Sequence, residues 1–128
     1  MQPTIIPMLS FEDAAAAIDF YKIAFDASEV SRITDTDGKI GHAELSVYGA
    51  SIMLADERSD INILSAQTLG GTPVMLLLEV IDADLVFNQA VAAGAMIDRP
   101  LADMEYKMGS CGELVDPFGY KWMIMSGK

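Results

Sequence analysis

Cysteine, histidine and tryptophan each occur once in this chain of 128 residues, and lysine and arginine together only eight times. Each scarcity excludes something. With Cys111 alone there is no disulfide within the chain and no site built from several thiolates. Eight basic residues against nineteen acidic ones give a formal net charge of −11 and a pI near 4.2. A nucleic-acid binder needs clustered cations for the phosphates, so nucleic acid is not an expected partner. No apolar run approaches the roughly 20 residues of a membrane-spanning helix. The N-terminus lacks a cationic start followed by an apolar stretch. A cytoplasmic location without membrane contact is therefore expected. The acidic field serves solubility first, and it also admits a cationic ligand.

What is present is apolar and repeated. Hydrophobic residues make up 52% of the chain and mean hydropathy is +0.30, which suits one filled core in a single domain spanning residues 1–128. The stretch Glu44-Leu45-Ser46-Val47-Tyr48-Gly49-Ala50-Ser51-Ile52-Met53-Leu54 recurs as Glu113-Leu114-Val115-Asp116-Pro117-Phe118-Gly119-Tyr120-Lys121-Trp122-Met123-Ile124, with Pro117 as the one inserted residue. Internal repetition decides the architecture before any single motif does.

The flanks repeat too. Thr4–Leu9 reads as a strand, and Ser10 as the cap of an amphipathic helix over Phe11–Phe25 carrying Ala14, Ala17, Ile18, Tyr21 and Phe25 on one face. Strands are expected at Glu29–Thr34, Ile40–Val47 and Ser51–Ala55, with a turn at Asp37-Gly38. Asp56–Gly71 lacks periodicity and reads as a connector. The second unit repeats the order: a strand over Pro73–Val80, a helix capped by Asp82 or Asp84 and stopped by Gly94, then strands at Met96–Arg99, near Met104–Met108, at Gly112–Val115 and at Lys121–Met125. Asp116-Pro117-Phe118-Gly119 is a turn, with Pro presetting φ and Gly last. The expected fold is α+β. Two tandem βαβββ modules (residues 2–57 and 73–126, joined by 58–72) form a curved mixed sheet around a cleft, with helices on the outer faces.

Several short motifs lie in order on this frame: Ala17-Ile18-Asp19-Phe20-Tyr21, Gly41-His42-Ala43-Glu44-Leu45, Ser51-Ile52-Met53-Leu54-Ala55-Asp56-Glu57, Ala93-Gly94-Ala95 and Asp116-Pro117-Phe118-Gly119-Tyr120-Lys121-Trp122. Together they resemble the vicinal oxygen chelate superfamily of glyoxalases, bleomycin resistance proteins and dioxygenases, and within it the PhnB-like subgroup. The resemblance implies a homodimer. It also implies four positions, one on the first and one on the last strand of each module, where metalloenzymes of the superfamily place His, Gln or Glu. Here those positions are Ile6, Met53, Met75 and Met123. None offers the carboxylate or imidazole that a hard or borderline divalent ion requires, so neither a metal nor another cofactor is expected.

Alternation along the strands sends Ala43, Leu45 and Val47 to the helix-covered side and His42, Glu44 and Ser46 to the cleft. Cys111, Glu113 and Val115 correspond to these, and Met75, Leu77 and Glu79 join them. Trp122 and Ile52 fall on the core side. The expected ligand cleft thus comprises Ile6, Met8, Met53, Met75, Leu77, Glu79, Cys111 and Met123, an apolar wall with few polar points. If the chain is an enzyme, Glu44, Glu113 or His42 is its acid or base. Glu44 and Glu113 form a coupled pair if they approach across the pseudo-twofold axis, and are otherwise separate solvated glutamates. Three functions remain open: metal-free sequestration of a small molecule, a lyase or isomerase of the glyoxalase class, and a regulatory module with a vestigial cleft.

Overall fold

The computed structural model describes residues 1–105 and 109–127. The first module runs β1 (Met8–Phe11), α1 (Ala14–Phe25), β2 (Ser28–Thr34), β3 (Ile40–Val47) and β4 (Ala50–Asp56). The second runs β5 (Met75–Val80), α3 (Ala83–Ala93), β6 (Met96–Asp103), β7 (Ser110–Val115) and β8 (Lys121–Ser126). Between them lie a 3-10 turn (Ser59–Ile61) and a four-residue helix α2 (Ala66–Leu69), so the connector is more structured than its lack of periodicity suggests.

The start of the chain differs from expectation in two linked ways. The first strand begins at Met8 rather than Thr4, because Pro7 has no N–H for the ladder; its carbonyl instead accepts the Met53 amide at 2.9 Å. Phe11 then belongs to the strand's buried row, at 0% exposure, and not to the helix. The cap falls to Asp13, which is extended (φ −142) and accepts the Ala16 N–H at 3.1 Å. In the second helix the cap is Asp82, which accepts the Leu85 N–H at 3.1 Å. Strand β6 runs beyond Arg99 to Asp103, through Pro100. It lies at the edge of its sheet, where a missing N–H costs no ladder bond, and its register shifts between Arg99 and Ala102. Of the strand expected near Met104–Met108, Met104 and Glu105 are not in a strand, and residues 106–108 lie outside those described.

The modules have the same topology. The first sheet is ordered β1-β4-β3-β2 and the second β5-β8-β7-β6. In each, the first strand runs parallel to the last and the remaining pairs are antiparallel. This is the α+β fold with tandem βαβββ modules. One face of each sheet is covered by its helix, and α1 and α3 also pack against each other. The result is one core. Tyr21, Phe25 and Phe11 from the first module meet Trp122, Phe118 and Tyr120 from the second, with ring centroids 4.7 Å apart for Phe25–Trp122 and 5.3 Å for Phe11–Tyr120. Trp122 and Ile52 are buried in it, as strand alternation requires.

Gly112 marks how tightly α3 lies on its sheet. A Cβ at this position would sit 2.6 Å from Phe87 Cε2 and 3.2 Å from the Arg99 carbonyl oxygen. Phe87 is itself core, at 2% exposure, and cannot swing away. Gly112→Ala is therefore expected to destabilise by about 1–3 kcal/mol through overpacking, measured as a lower urea midpoint with unchanged m-value.

Candidate functional site

The opposite face of each sheet is left open, and the register aligns side chains across it in matching rows. In the first sheet Met8 pairs with Met53, Met53 with Glu44, and Glu44 with Ser31. In the second, Leu77 pairs with Met123, Met123 with Glu113, and Glu113 with Arg99. One step along, Glu79, Met125, Cys111 and Ala102 form the next row of the second sheet. The alternation that buries Ala43, Leu45, Val47, Leu114, Trp122 and Ile124 is what presents these residues on the other side.

The two carboxylates at the centre of the rows are held differently. Glu44 accepts a hydrogen bond from Ser51 Oγ at 3.2 Å. Glu113 is paired with Arg99 at 3.2 Å; its side chain is 14% exposed and that of Arg99 76%. Arg99 could not be foreseen from the repeat, because its counterpart by register in the first sheet is Ser31. The Cys111 thiol is pushed up by burial and then by the charge of Glu113, so it stays protonated and is no activated nucleophile.

The model of the Glyoxalase/Bleomycin resistance protein/Dioxygenase superfamily matches residues 7–124. The chain belongs to this superfamily. Uncharacterized proteins of Mycobacterium bovis and Arabidopsis thaliana are similar to it. The first is 39% identical over 97% of this chain and 83% of its own length; the second is 31% identical over 88% and 70%. Among solved structures, TioX from Micromonospora superposes with a TM-score of 0.75 at 25% identity, covering 98% of this chain and 97% of its own. The fosfomycin resistance protein FosX of Listeria monocytogenes shares the fold, with a TM-score of 0.75 at 14% identity over 100% and 95% of the two chains.

In this member of the superfamily the register bears on the four positions that the resemblance assigns to ligands in the superfamily's metalloenzymes. Level with Met53 on the first strand is Met8, and Ile6 lies two residues before it. Level with Met123 is Leu77, and Met75 lies two residues before it. On either choice the set consists of thioethers and aliphatic groups, so the donors do not fit a divalent metal of the hard or borderline kind. Among the described residues, no three His, Cys, Asp or Glu side chains are grouped so as to hold a metal ion.

The structure does not gather the candidate residues into one cleft within a single chain. Glu44 and Glu113 lie on different sheets. The polar partner of Glu44 is Ser51 and that of Glu113 is Arg99, each within its own sheet. Ile6, Met75 and Leu77 line a cavity of about 470 Å³ at the seam between the modules, with Ile52 and Trp122 also among its walls. Met8 and His42 line another of about 350 Å³, beside Arg58 and Asp56. Glu79 lines a third. Met53, Met123, Glu44, Glu113 and Cys111 line none of these three and remain on the open faces.

Proposed function

We propose that the chain is a metal-free member of its superfamily that binds a small organic molecule on its methionine-bearing sheet faces, by sequestration of the bleomycin-resistance type. The carrying observation is the donor set: Met8 or Ile6, Met53, Leu77 or Met75, and Met123 at the four ligand positions. Methionine usage points the same way. Of the nine methionines, Met8, Met53, Met75, Met96, Met123 and Met125 belong to the open faces, and none of those described is buried. Methionine here is surface rather than core filler, and its flexible thioether adapts to varied apolar ligands. The rows are too open to enclose a ligand alone, with Met8 60% and Leu77 54% exposed. A homodimer that brings these faces together is part of the proposal, as is a reducing cytoplasm that keeps Cys111 a thiol.

Protein purified without chelators is expected to hold no stoichiometric manganese, iron, nickel or zinc by elemental analysis, and one ion per chain would overturn the reading. A panel of apolar small molecules, cationic glycopeptides included, should contain one that raises the melting temperature. Met53→Lys should abolish that rise while leaving the unliganded melting temperature nearly unchanged, because Met53 is on the open face.

A second reading makes Glu44 an acid–base catalyst. It is favoured by the position of Glu44 beside Met53, with a hydrogen bond from Ser51 and no cation paired to it among the described residues. It requires that Glu44→Gln abolish a measured turnover while keeping ligand binding.

A further inference from the structure

A further pocket lies at the end of the row that carries Glu79 and Met125. It is an open depression of about 570 Å³ at the junction of the β3–β4 turn, the end of α1 and the start of α3, within the size range of small-molecule pockets. Its apolar surface includes Ile81 and Leu85, which are 95% and 64% exposed, and the half-exposed ring of Tyr48. Its polar groups include the carboxylates of Asp26, Glu79 and Asp82. Among the described residues no lysine, arginine or histidine lines it, and none is paired with these three acids. An exposed apolar patch rimmed by one sign of charge marks a binding surface for a partner of the opposite sign.

Tyr48 is the unexpected residue. It occupies the first central position of the two-residue turn between Val47 and Ala50, with φ of 52 followed by 87 at Gly49. Such a type I′ turn prefers Asn-Gly, and a bulky side chain with positive φ is disfavoured there. The ring that this turn presents is one wall of the cavity. Opposite, Gln89 of α3 donates its amide to the Asp26 carboxylate at 3.0 Å and to the Ile23 carbonyl at 2.8 Å, which fixes Asp26 across the module seam.

We propose that this cavity is a second binding site, taking a small organic cation with an apolar or aromatic body. The carboxylates alone would be an ordinary acidic surface. The apolar volume and the aromatic wall give the ligand its class: the cation lies against the Tyr48 ring and is balanced by Asp26, Glu79 and Asp82, while its body covers Ile81 and Leu85. The site shares Glu79 with the open face of the second sheet but does not require ligand capture there.

The probe is benzyltrimethylammonium, titrated into the full chain and followed by amide NMR, with benzyl alcohol and benzoate as neutral and anionic controls. Saturable shifts are expected at Tyr48, Gly49 and Ile81–Leu85 with the cation only, weakening as salt is raised. Tyr48→Leu should weaken binding about two- to five-fold, and Glu79→Gln by up to about five-fold. Tyr48→Asn supplies the turn with its preferred residue, so it should raise the melting temperature while weakening the cation as Tyr48→Leu does. No saturable shift at these residues, equal binding of the controls, or unchanged affinity in the variants would overturn the site. So would shifts at the same residues that appear on concentrating the protein alone, because a second copy would then be the occupant.

Discussion

Asp116→Ala is expected to cost about 3–4 kcal/mol of unfolding free energy, since four donors lose their acceptor at a net contribution of about 1 kcal/mol each. Asp116 is 4% exposed. One carboxylate oxygen accepts the Phe118 and Tyr120 amides at 2.9 and 3.0 Å; the other accepts the Tyr21 hydroxyl at 2.5 Å and the Trp122 indole N–H at 3.0 Å. The turn into β8, the first helix and the core tryptophan thus share one anion. Alanine leaves their donors buried and unpaired. Asp116→Asn keeps an acceptor for part of the set and should cost less.

The pH dependence of this pair of proteins is the sharper measurement. Burial raises the Asp116 carboxyl above its ordinary range and outweighs the four hydrogen bonds, which pull it down. Between the unfolded and folded pKa values the folded state carries a proton that the unfolded state lacks, so stability falls as pH rises through that window. The gap between the native protein and Asp116→Asn should therefore widen as pH is lowered toward the ordinary aspartate value. Glu29 acts in the opposite sense, held low by Lys22 and then Arg32, so that its contribution is lost as pH falls. Being common to both proteins, it cancels in the difference. Urea melts of both at neutral and mildly acidic pH would show the trend, and a gap that closed on acidification would contradict the burial argument.

Asp116 also shows what a sequence conceals. As the first residue of Asp-Pro-Phe-Gly it reads as a turn former, and the bond to the Phe118 amide confirms that local role. Nothing local signals that its second oxygen serves Tyr21, which lies 95 residues away. The fold was legible because duplication, alternation and helical spacing are local periodicities. The open faces were legible for the same reason: alternation alone assigns His42, Glu44, Cys111 and Glu113 to the side away from the helices. Register was not. It depends on where the ladder begins, and Pro7 moves that start, so that Met8 rather than Ile6 stands level with Met53. The gathering of candidates into a common cleft was not legible either, because it depends on how two whole modules pack. Here the helix-covered faces meet, and the rows that carry Glu44 and Glu113 are left on separate open sheets.

That packing carries the second large expectation. Phe11→Ala should cost about 3–5 kcal/mol, as removal of a fully buried aromatic does. Phe11 is at 0% exposure in the first module, yet its ring meets Phe118 and Tyr120 of the second at 5.5 and 5.3 Å, and Tyr21 of its own at 6.1 Å. Beside it the Tyr120 hydroxyl donates to the Ser10 carbonyl at 2.6 Å, tying the same strand to the same turn. If the modules were independent, losing Phe11 would lower the stability of the first and leave the second nearly intact. One shared core predicts otherwise: Trp122 fluorescence, reporting from the second module, should shift its urea midpoint by as much as amide exchange of α1 and β3 does in the first. Coincident transitions in the native protein and in the variant would show that the two modules unfold as one cooperative unit. A Trp122 transition unmoved by Phe11→Ala would divide the molecule at residues 58–72 and make each βαβββ module a folding unit in its own right.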